Sequence, residues 1–428
     1  MVTKKWTILV YLAGDNDLDE DGARDIAEMA KVGSNKDLNI IAQFDRAGSV
    51  RTQRFYIKKG GGYPKDSVMD LGETNTGDPE VLLDFLKWGI QKYPAEHYMA
   101  ILWNHGSGWN EDNVYEKAIK FCPEKRKLSA TIKRNFRERG IKKALFSTTV
   151  EEILKNPASD RAILYDDESK DFLDNMELKK VLAEAAKLLP EKQFDILGFD
   201  ACLMNTIEVA FQLKDIAKII VGSEETEPNA GWPYDKLLGA LAAKPDMTPS
   251  DFSKIIVDSY VESYDKGADS EPVTLSAINP EKMDDVLTAV NKLALALNNN
   301  VSDRDTFYKV LKITYDVQQF YYPTYKDLFD LAKLLDERID VKEIKDSAQA
   351  VMDILQPGDD DFIIASGNLT KSMSGAHGVS IYFPVRETYL KYYSKLDFSK
   401  KSKWDNFVKA YQKEYDKPQI KEIKHGKN

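Results

Sequence analysis

Residues 98–106 read Tyr-Met-Ala-Ile-Leu-Trp-Asn-His-Gly, an unbroken apolar run that stops on an asparagine, a histidine and a glycine. So short a run, bounded by turn residues, reads as a strand buried on both faces of a parallel sheet. The texture recurs at Thr7–Ala13, Asn39–Phe44, Phe194–Phe199 and Ile219–Ser223, with Arg54–Lys58 a weaker antiparallel candidate. Amphipathic stretches with legible starts lie between these runs. Asp78 stands before Pro79 as an N-cap, and Val81, Leu82, Phe85, Leu86 and Ile90 follow at helical spacing until Pro94. Asp174 or Asn175 caps another helix through Leu178, Val181, Leu182 and Ala185, which stops at Pro190. Alternating strands and helices predict a doubly wound α/β sheet.

From about Pro245 the texture turns helical. Thr248-Pro249 and Asn279-Pro280 open two helices, and further periodic segments cover Phe307–Phe320, Lys326–Leu335 and Val341–Leu355. Three late strands intervene, Val273–Ile278, Phe362–Ser366 and Gly378–Phe383. The expected organisation is a core over residues 1–245, interrupted by a basic insertion at about 112–161, and a helix-rich region over 246–428 whose late strands pack on that core.

The 428 residues carry 60 basic and 70 acidic side chains, a formal charge of −10 that disfavours a nucleic-acid groove and favours cationic partners. An apolar fraction of 43% with 30% charged residues excludes disordered and coiled-coil classes. No apolar run approaches the ~18 residues that span a bilayer. Two lysines precede the first apolar run, as in a signal peptide, but the run stops at Gly14-Asp15-Asn16-Asp17 without a small-residue cleavage site and reads better as a strand. Export would then require a signal ahead of Met1; otherwise the cytoplasm is expected.

Two cysteines, Cys122 and Cys202, are too few for a disulfide framework or a structural zinc site, and four histidines, His97, His105, His377 and His425, complete a short inventory of candidate groups. In open α/β sheets, ligands bind beyond the carboxyl ends of the strands. One strand end delivers Asn104-His105-Gly106 and another delivers Asp200-Ala201-Cys202. Singly, each has a dull explanation, a turn histidine and a packing cysteine. Together at one sheet edge they suit a nucleophile and its proton carrier. The helical pattern after Cys202 would set its sulfur at a positive helix N-terminus and lower the thiol pKa. Gly106, without a side chain, would bring its N–H to an oxyanion together with that of Cys202. No third triad residue is evident. His377 begins a strand and reads as structural, His97 precedes one, and His425 sits in a basic tail.

These residues carry a family resemblance. Asn104-His105-Gly106, Asp200-Ala201-Cys202, the opening Tyr11–Leu18 (Tyr-Leu-Ala-Gly-Asp-Asn-Asp-Leu) and the late Gly378–Pro384 (Gly-Val-Ser-Ile-Tyr-Phe-Pro) resemble, in this order, the clostripain family of cysteine peptidases. The resemblance spans about Trp6–Pro384. It implies a caspase-like α/β/α sandwich, a His105/Cys202 dyad with Gly106 as oxyanion donor, cleavage after Arg or Lys, and maturation by cutting between the His and Cys elements. Asp200 matches the family acid proposed to bind the basic side chain; physically it suits a guanidinium or ammonium, and it would serve equally as an N-cap or loop brace. Ser223, Glu224 and Trp232 are pocket-wall candidates by position, with solvated acids and a core tryptophan as the alternative.

The basic run Lys117–Lys143 reads by itself as a solvated helix or loop. Between His105 and Cys202, however, it offers many bonds to an Arg/Lys-specific peptidase, so self-cleavage within 112–161 is expected, with Cys122 a bystander. The expected partners are Arg- or Lys-containing peptides and proteins, with no nucleic acid and no membrane span. No redox or organic cofactor is implied. Calcium is possible, since some members of the family respond to it, but no EF-hand spacing supports a site. Two rivals remain: a non-catalytic peptide- or surface-binding protein on the same fold, and a phosphate- or metal-dependent hydrolase built on Asp15 and Asp17.

Overall fold

A computed structural model of the chain describes residues 3–48, 51–106, 108, 163–166, 171–384 and 393–417. Cys122, His425 and all of the expected insertion lie outside the described residues. The chain forms two compact units, each built from three stretches: Met1–Met204, Asp215–Gly222 and Glu227–Ser259 in the first; Asn205–Lys214, Ser223–Thr226 and Tyr260–Asn428 in the second.

The first unit contains β1 (Lys4–Gly14), β2 (Leu38–Arg46), β3 (Thr52–Tyr56), β4 (Ser67–Gly72), β5 (Ala95–Trp103), a small antiparallel pair β6 (Ile163–Asp166) and β7 (Asp171–Leu173), β8 (Phe194–Asp200) and β9 (Ala217–Gly222). Its sheet runs in the order β9-β8-β5-β1-β2-β3-β4. The five strands from β9 to β2 are parallel, and β3 and β4 add antiparallel. Val10, Ile40, Ile101 and Leu197 are fully buried, which is why these strands show continuous apolar runs rather than alternation.

Helices α1 (Asp19–Val32) and α2 (Pro79–Lys92) cover opposite faces of that sheet. A Cβ added to Gly89 of α2 would lie 2.5 Å from Leu9 Cδ2 and 2.6 Å from Ile41 Cδ1, whereas one on Gly22 of α1 would lie 2.7 Å from Phe44. Leu9 and Leu12 are three residues apart on β1, and Leu12 pairs with Phe44, so the two helices read opposite pleats. α2 packs with α3 (Asn175–Ala186), and α1 packs with α4 (Tyr234–Ala243). The Asp78 carboxylate accepts from the Glu80 N–H at 2.9 Å, and Asp174 with Glu177 forms a reciprocal capping box.

The second unit contains an antiparallel pair, β10 (Thr274–Ile278) with β12 (Ile363–Asn368), and a second pair, β11 (Tyr325–Asp327) with β13 (Ser380–Tyr382). Helices Met283–Asn300, Arg304–Asp316, Leu328–Arg338 and Lys342–Ile354 account for the helical texture. The helix expected from Lys326 begins two residues later, at Leu328: Lys326 belongs to β11 and donates to Thr314 O at 2.8 Å, and Asp327 caps the helix that follows by accepting from Asp330 N–H at 2.6 Å. His377 stacks on Phe329 at 4.4 Å between centroids, and Asp327 beside it raises its pKa, a structural setting.

Two glycines check the packing. Ala at Gly198 of β8 would put its Cβ 2.9 Å from the Trp232 ring, whereas Ala at Gly239 of α4 meets nothing closer than Val32 at 4.0 Å. Gly198→Ala is expected to destabilise by about 1–3 kcal/mol through overpacking, and Gly239→Ala to stabilise by about 0.5–1 kcal/mol through helix propensity. Urea unfolding midpoints of the two variants measure both signs.

Candidate active site

β5 and β8 run side by side in register, Met99 with Ile196 through Trp103 with Asp200, so both strands leave the sheet at one level. The Asn104 N–H extends the ladder by donating to Asp200 O at 3.3 Å. The next residues make two loops whose backbones touch. A Cβ on Gly106 would lie 2.3 Å from Cys202 O and 3.0 Å from Cys202 N, so only glycine permits this approach. His105 and Cys202 therefore flank a single glycine-mediated contact.

The β5 loop is tied to the loop after β1. The Asn104 amide donates to Ala13 O at 2.6 Å, the Asn16 amide donates to the same carbonyl at 3.0 Å, and the Asn104 carbonyl oxygen accepts from the His105 N–H. The Asn16 side chain also accepts from Leu18 N–H at 2.9 Å. This bracing brings Asp17 Oδ1 to 2.7 Å from His105 Nε2. The acidic loop on which the rival phosphate- or metal-dependent hydrolase reading is built thus presents Asp17 to the histidine; no periodicity could signal a contact across 88 residues.

Cys202 is partly exposed, but its thiol is desolvated. The Glu227 N–H donates to its sulfur at 3.2 Å, and the sulfur lies 3.8 Å from Glu227 O. Burial pushes the thiol up to about 11, against the opposing help of the Glu227 and Gly106 backbone N–H groups. The sequence expectation of a thiol lowered by a helix N-terminus is thereby corrected. Leu203 takes φ 64°, a sharp left-handed turn straight after the cysteine, and the helix begins only at Ile207 with Thr206 as its cap.

Beneath the thiol lies a set of acids in a dry setting. The Asp200 Oδ2 accepts from Tyr234 Oη at 2.9 Å and from Trp232 N–H at 3.3 Å, and the Glu227 carboxyl is buried beside it. Burial raises Asp200 to about 6. Asp25 of α1 accepts from Trp103 Nε1 at 2.7 Å; burial, then the charge of Asp200, push it up to about 9, so it is neutral near pH 7. Gly231, at φ 59°, leaves open the space beside Asp200 Oδ1, which a Cβ there would approach to 3.1 Å.

The remaining candidates have other settings. Trp232 is fully buried, its ring against Gly198, and it reaches the acid cluster through its backbone N–H. Ser223 and Glu224 belong to the second unit. Ser223 Oγ donates to Glu225 O at 2.9 Å; Glu224 accepts from Gly378 N–H at 2.8 Å, and burial followed by the charge of Asp327 raises its pKa strongly. The His97 ring lies tilted against Trp6 at 4.7 Å between centroids and 3.3 Å from Asp195. Among the described residues no group of three or more His, Cys, Asp or Glu side chains could hold a metal ion. No described helix is long and apolar enough to cross a membrane.

A sequence model described as the Clostripain family matches residues 10–128 and 152–411. The chain belongs to the clostripain family. Its class is accordingly cysteine peptidase, hydrolysing peptide bonds. Clostripain of Hathewaya histolytica is 25% identical over 468 residues, covering 95% of this chain and 80% of that protein. Among solved structures, a secreted C11 cysteine protease from Bacteroides thetaiotaomicron, in complex with an irreversible peptide inhibitor, superposes with a TM-score of 0.63 at 20% identity, covering 94% of this chain and all of that one. An inactive zymogen C11 protease from Parabacteroides distasonis gives 0.60 at 18% identity, covering 94% and 99% of the two chains. The mostly parallel sheet with helices on both faces is the caspase-like fold of these clostripain-family enzymes.

The Asp25 carboxyl supplies a pH test of this geometry. Its folded pKa lies above the unfolded value of about 4, so its contribution to folding stability is greatest in acid and declines as pH rises from about 4 through about 9. Asp25→Asn keeps an acceptor for Trp103 without the charge. Urea midpoints across that range are expected to show a shallower decline for the variant than for the wild type.

Proposed function

We propose that this clostripain-family peptidase cleaves after Arg or Lys, with Cys202 as nucleophile and His105 as proton carrier. The observation that carries the reading is the glycine-only contact of Gly106 with the Cys202 backbone, joining the two loops at adjacent strand ends. In this mechanism the thiol proton passes to His105 as sulfur attacks the carbonyl carbon. The oxyanion forms beside the N–H groups of Gly106 and Cys202. Collapse breaks the C–N bond, and the amine leaves with the proton from His105. Water, deprotonated by His105, then releases the acyl group as a carboxylic acid and regenerates the thiol.

Asp200 is the proposed receptor for the basic side chain. A cation there would favour the ionised form of Asp200 and gain charge-assisted hydrogen bonds from it. Ser223 Oγ and Glu224 Oε2 serve internal hydrogen bonds, and no substrate role is proposed for either residue. Maturation by self-cleavage within 112–161, outside the described residues, completes the reading. The buried thiol and buried acid of the uncut chain suit a latent form.

Three experiments test this. Denaturing gels of the wild type and Cys202→Ala should show fragments only from the wild type; equal fragments from both would remove self-cleavage. Hydrolysis of acyl-Arg and acyl-Lys amides after nicking should disappear in Cys202→Ala, and survival of turnover would overturn the mechanism. Because Asp200 protonates near pH 6, KM for basic substrates should rise as pH falls through that value. Asp200→Asn should remove the dependence and cost about 100-fold in kcat/KM.

A further inference from the structure

We infer that Asp17 is the positioning residue for the catalytic imidazole, an inference that rests on the His105/Cys202 mechanism proposed above. The two side chains meet at 2.7 Å, Asp17 Oδ1 to His105 Nε2. The loops that present them are fastened to one carbonyl, Ala13 O, by the amides of Asn16 and Asn104. The β1 loop is held further by the Asn16 N–H donating to Gly14 O at 2.8 Å. Gly14 is required on that path, since a Cβ there would come within 2.6 Å of the Phe44 ring and 2.8 Å of Asp45 O. A rigid base thus carries an exposed pair, with side chains 78% accessible for Asp17 and 45% for His105.

That exposure separates a catalytic from a structural purpose. An exposed ion pair contributes little to folding, on the order of 0–1 kcal/mol, so such bracing around it is unexplained by stability. As an acceptor at Nε2, the carboxylate keeps the proton on that nitrogen and leaves the Nδ1 lone pair as the base. When the Cys202 proton moves to Nδ1, the imidazolium has its counter-ion in place, and the same proton later leaves with the amine. Asp17 touches neither substrate nor sulfur in this scheme; it acts through His105.

The test uses the matured full-length enzyme and acyl-Arg and acyl-Lys amides. Asp17→Ala should lower kcat about 10- to 100-fold, a part of the usual general acid–base contribution, with KM within about twofold and an unchanged urea midpoint. Because the site is open to solvent, added formate should restore part of the turnover to Asp17→Ala and none to His105→Ala. Unchanged kcat, or loss confined to KM or stability, would overturn the inference. A second readout needs no substrate: ¹⁵N NMR of the imidazoles, with His105 assigned by His105→Gln, should show the Nε2–H tautomer in the Cys202→Ala protein and a mixture when Asp17→Ala is added. A dominant Nδ1–H tautomer with Asp17 present would overturn the assignment. Wild-type enzyme that fails to turn over would remove the peptidase mechanism and with it the catalytic role of Asp17, while the NMR arm would still report whether Asp17 sets the ring.

Discussion

The parallel register of β5 on β8 is the constraint on which the site depends. Pairing Trp103 with Asp200 brings two chain reversals to one level of the sheet edge. Slipping the register by one residue would turn each strand's side chains to the opposite face and move Asn104 away from Asp200 O. Ile101, Leu102, Leu197 and Phe199 are all inaccessible, so any slip would have to repack close-fitted side chains on both faces of the sheet. The helices on the two faces hold the sheet, and the loops beyond it are left to do chemistry. Gly106 then converts sheet register into contact between the reactive loops.

Charge and burial act against one another at this edge. Cys202, Asp200 and Asp25 are all held towards their neutral forms, and desolvation is the leading cause in each. The segment Glu227–Tyr234 supplies the Glu227 N–H to the sulfur and the Trp232 N–H and Tyr234 hydroxyl to Asp200. One short stretch therefore governs both the proposed nucleophile and the proposed substrate acid. In the proposed cycle a basic side chain would meet the desolvated Asp200 while His105 takes the thiol proton. The net negative charge of the whole chain is a poor guide to this; the informative acids are the few that are dry.

Much of the first unit was legible in the sequence because its determinants are local. Continuous apolar runs marked the parallel strands, Asp78-Pro79 and Asp174 marked helix starts, and the strand-end rule selected His105 and Cys202 from four histidines and two cysteines. What periodicity misses is set by loop geometry and distant contact. The apolar residues after Cys202 imitate a helix start, but the left-handed turn at Leu203 delays the helix to Ile207, and the thiol pKa moves up instead of down. Asp17 meets His105 only because two asparagines on separate loops share one carbonyl. Lys326 follows helical spacing yet pairs in β11, since a strand partner and an acceptor at Thr314 O outweigh propensity. Glu224 looks like a solvated acid in sequence and is dry because Gly378 N–H meets it.

The central claim is that the Cys202 sulfur is the group that attacks a substrate held by its basic side chain. Reaction of the nicked enzyme with a peptidyl-lysine acyloxymethyl ketone, followed by peptide mapping by mass spectrometry, addresses it directly. The account requires a single thioether adduct on Cys202, formed much more slowly when Asp200→Asn removes the acid and not at all by a matched norleucine reagent. Modification of Cys122 instead, or equal labelling by the lysine and norleucine reagents, would contradict it.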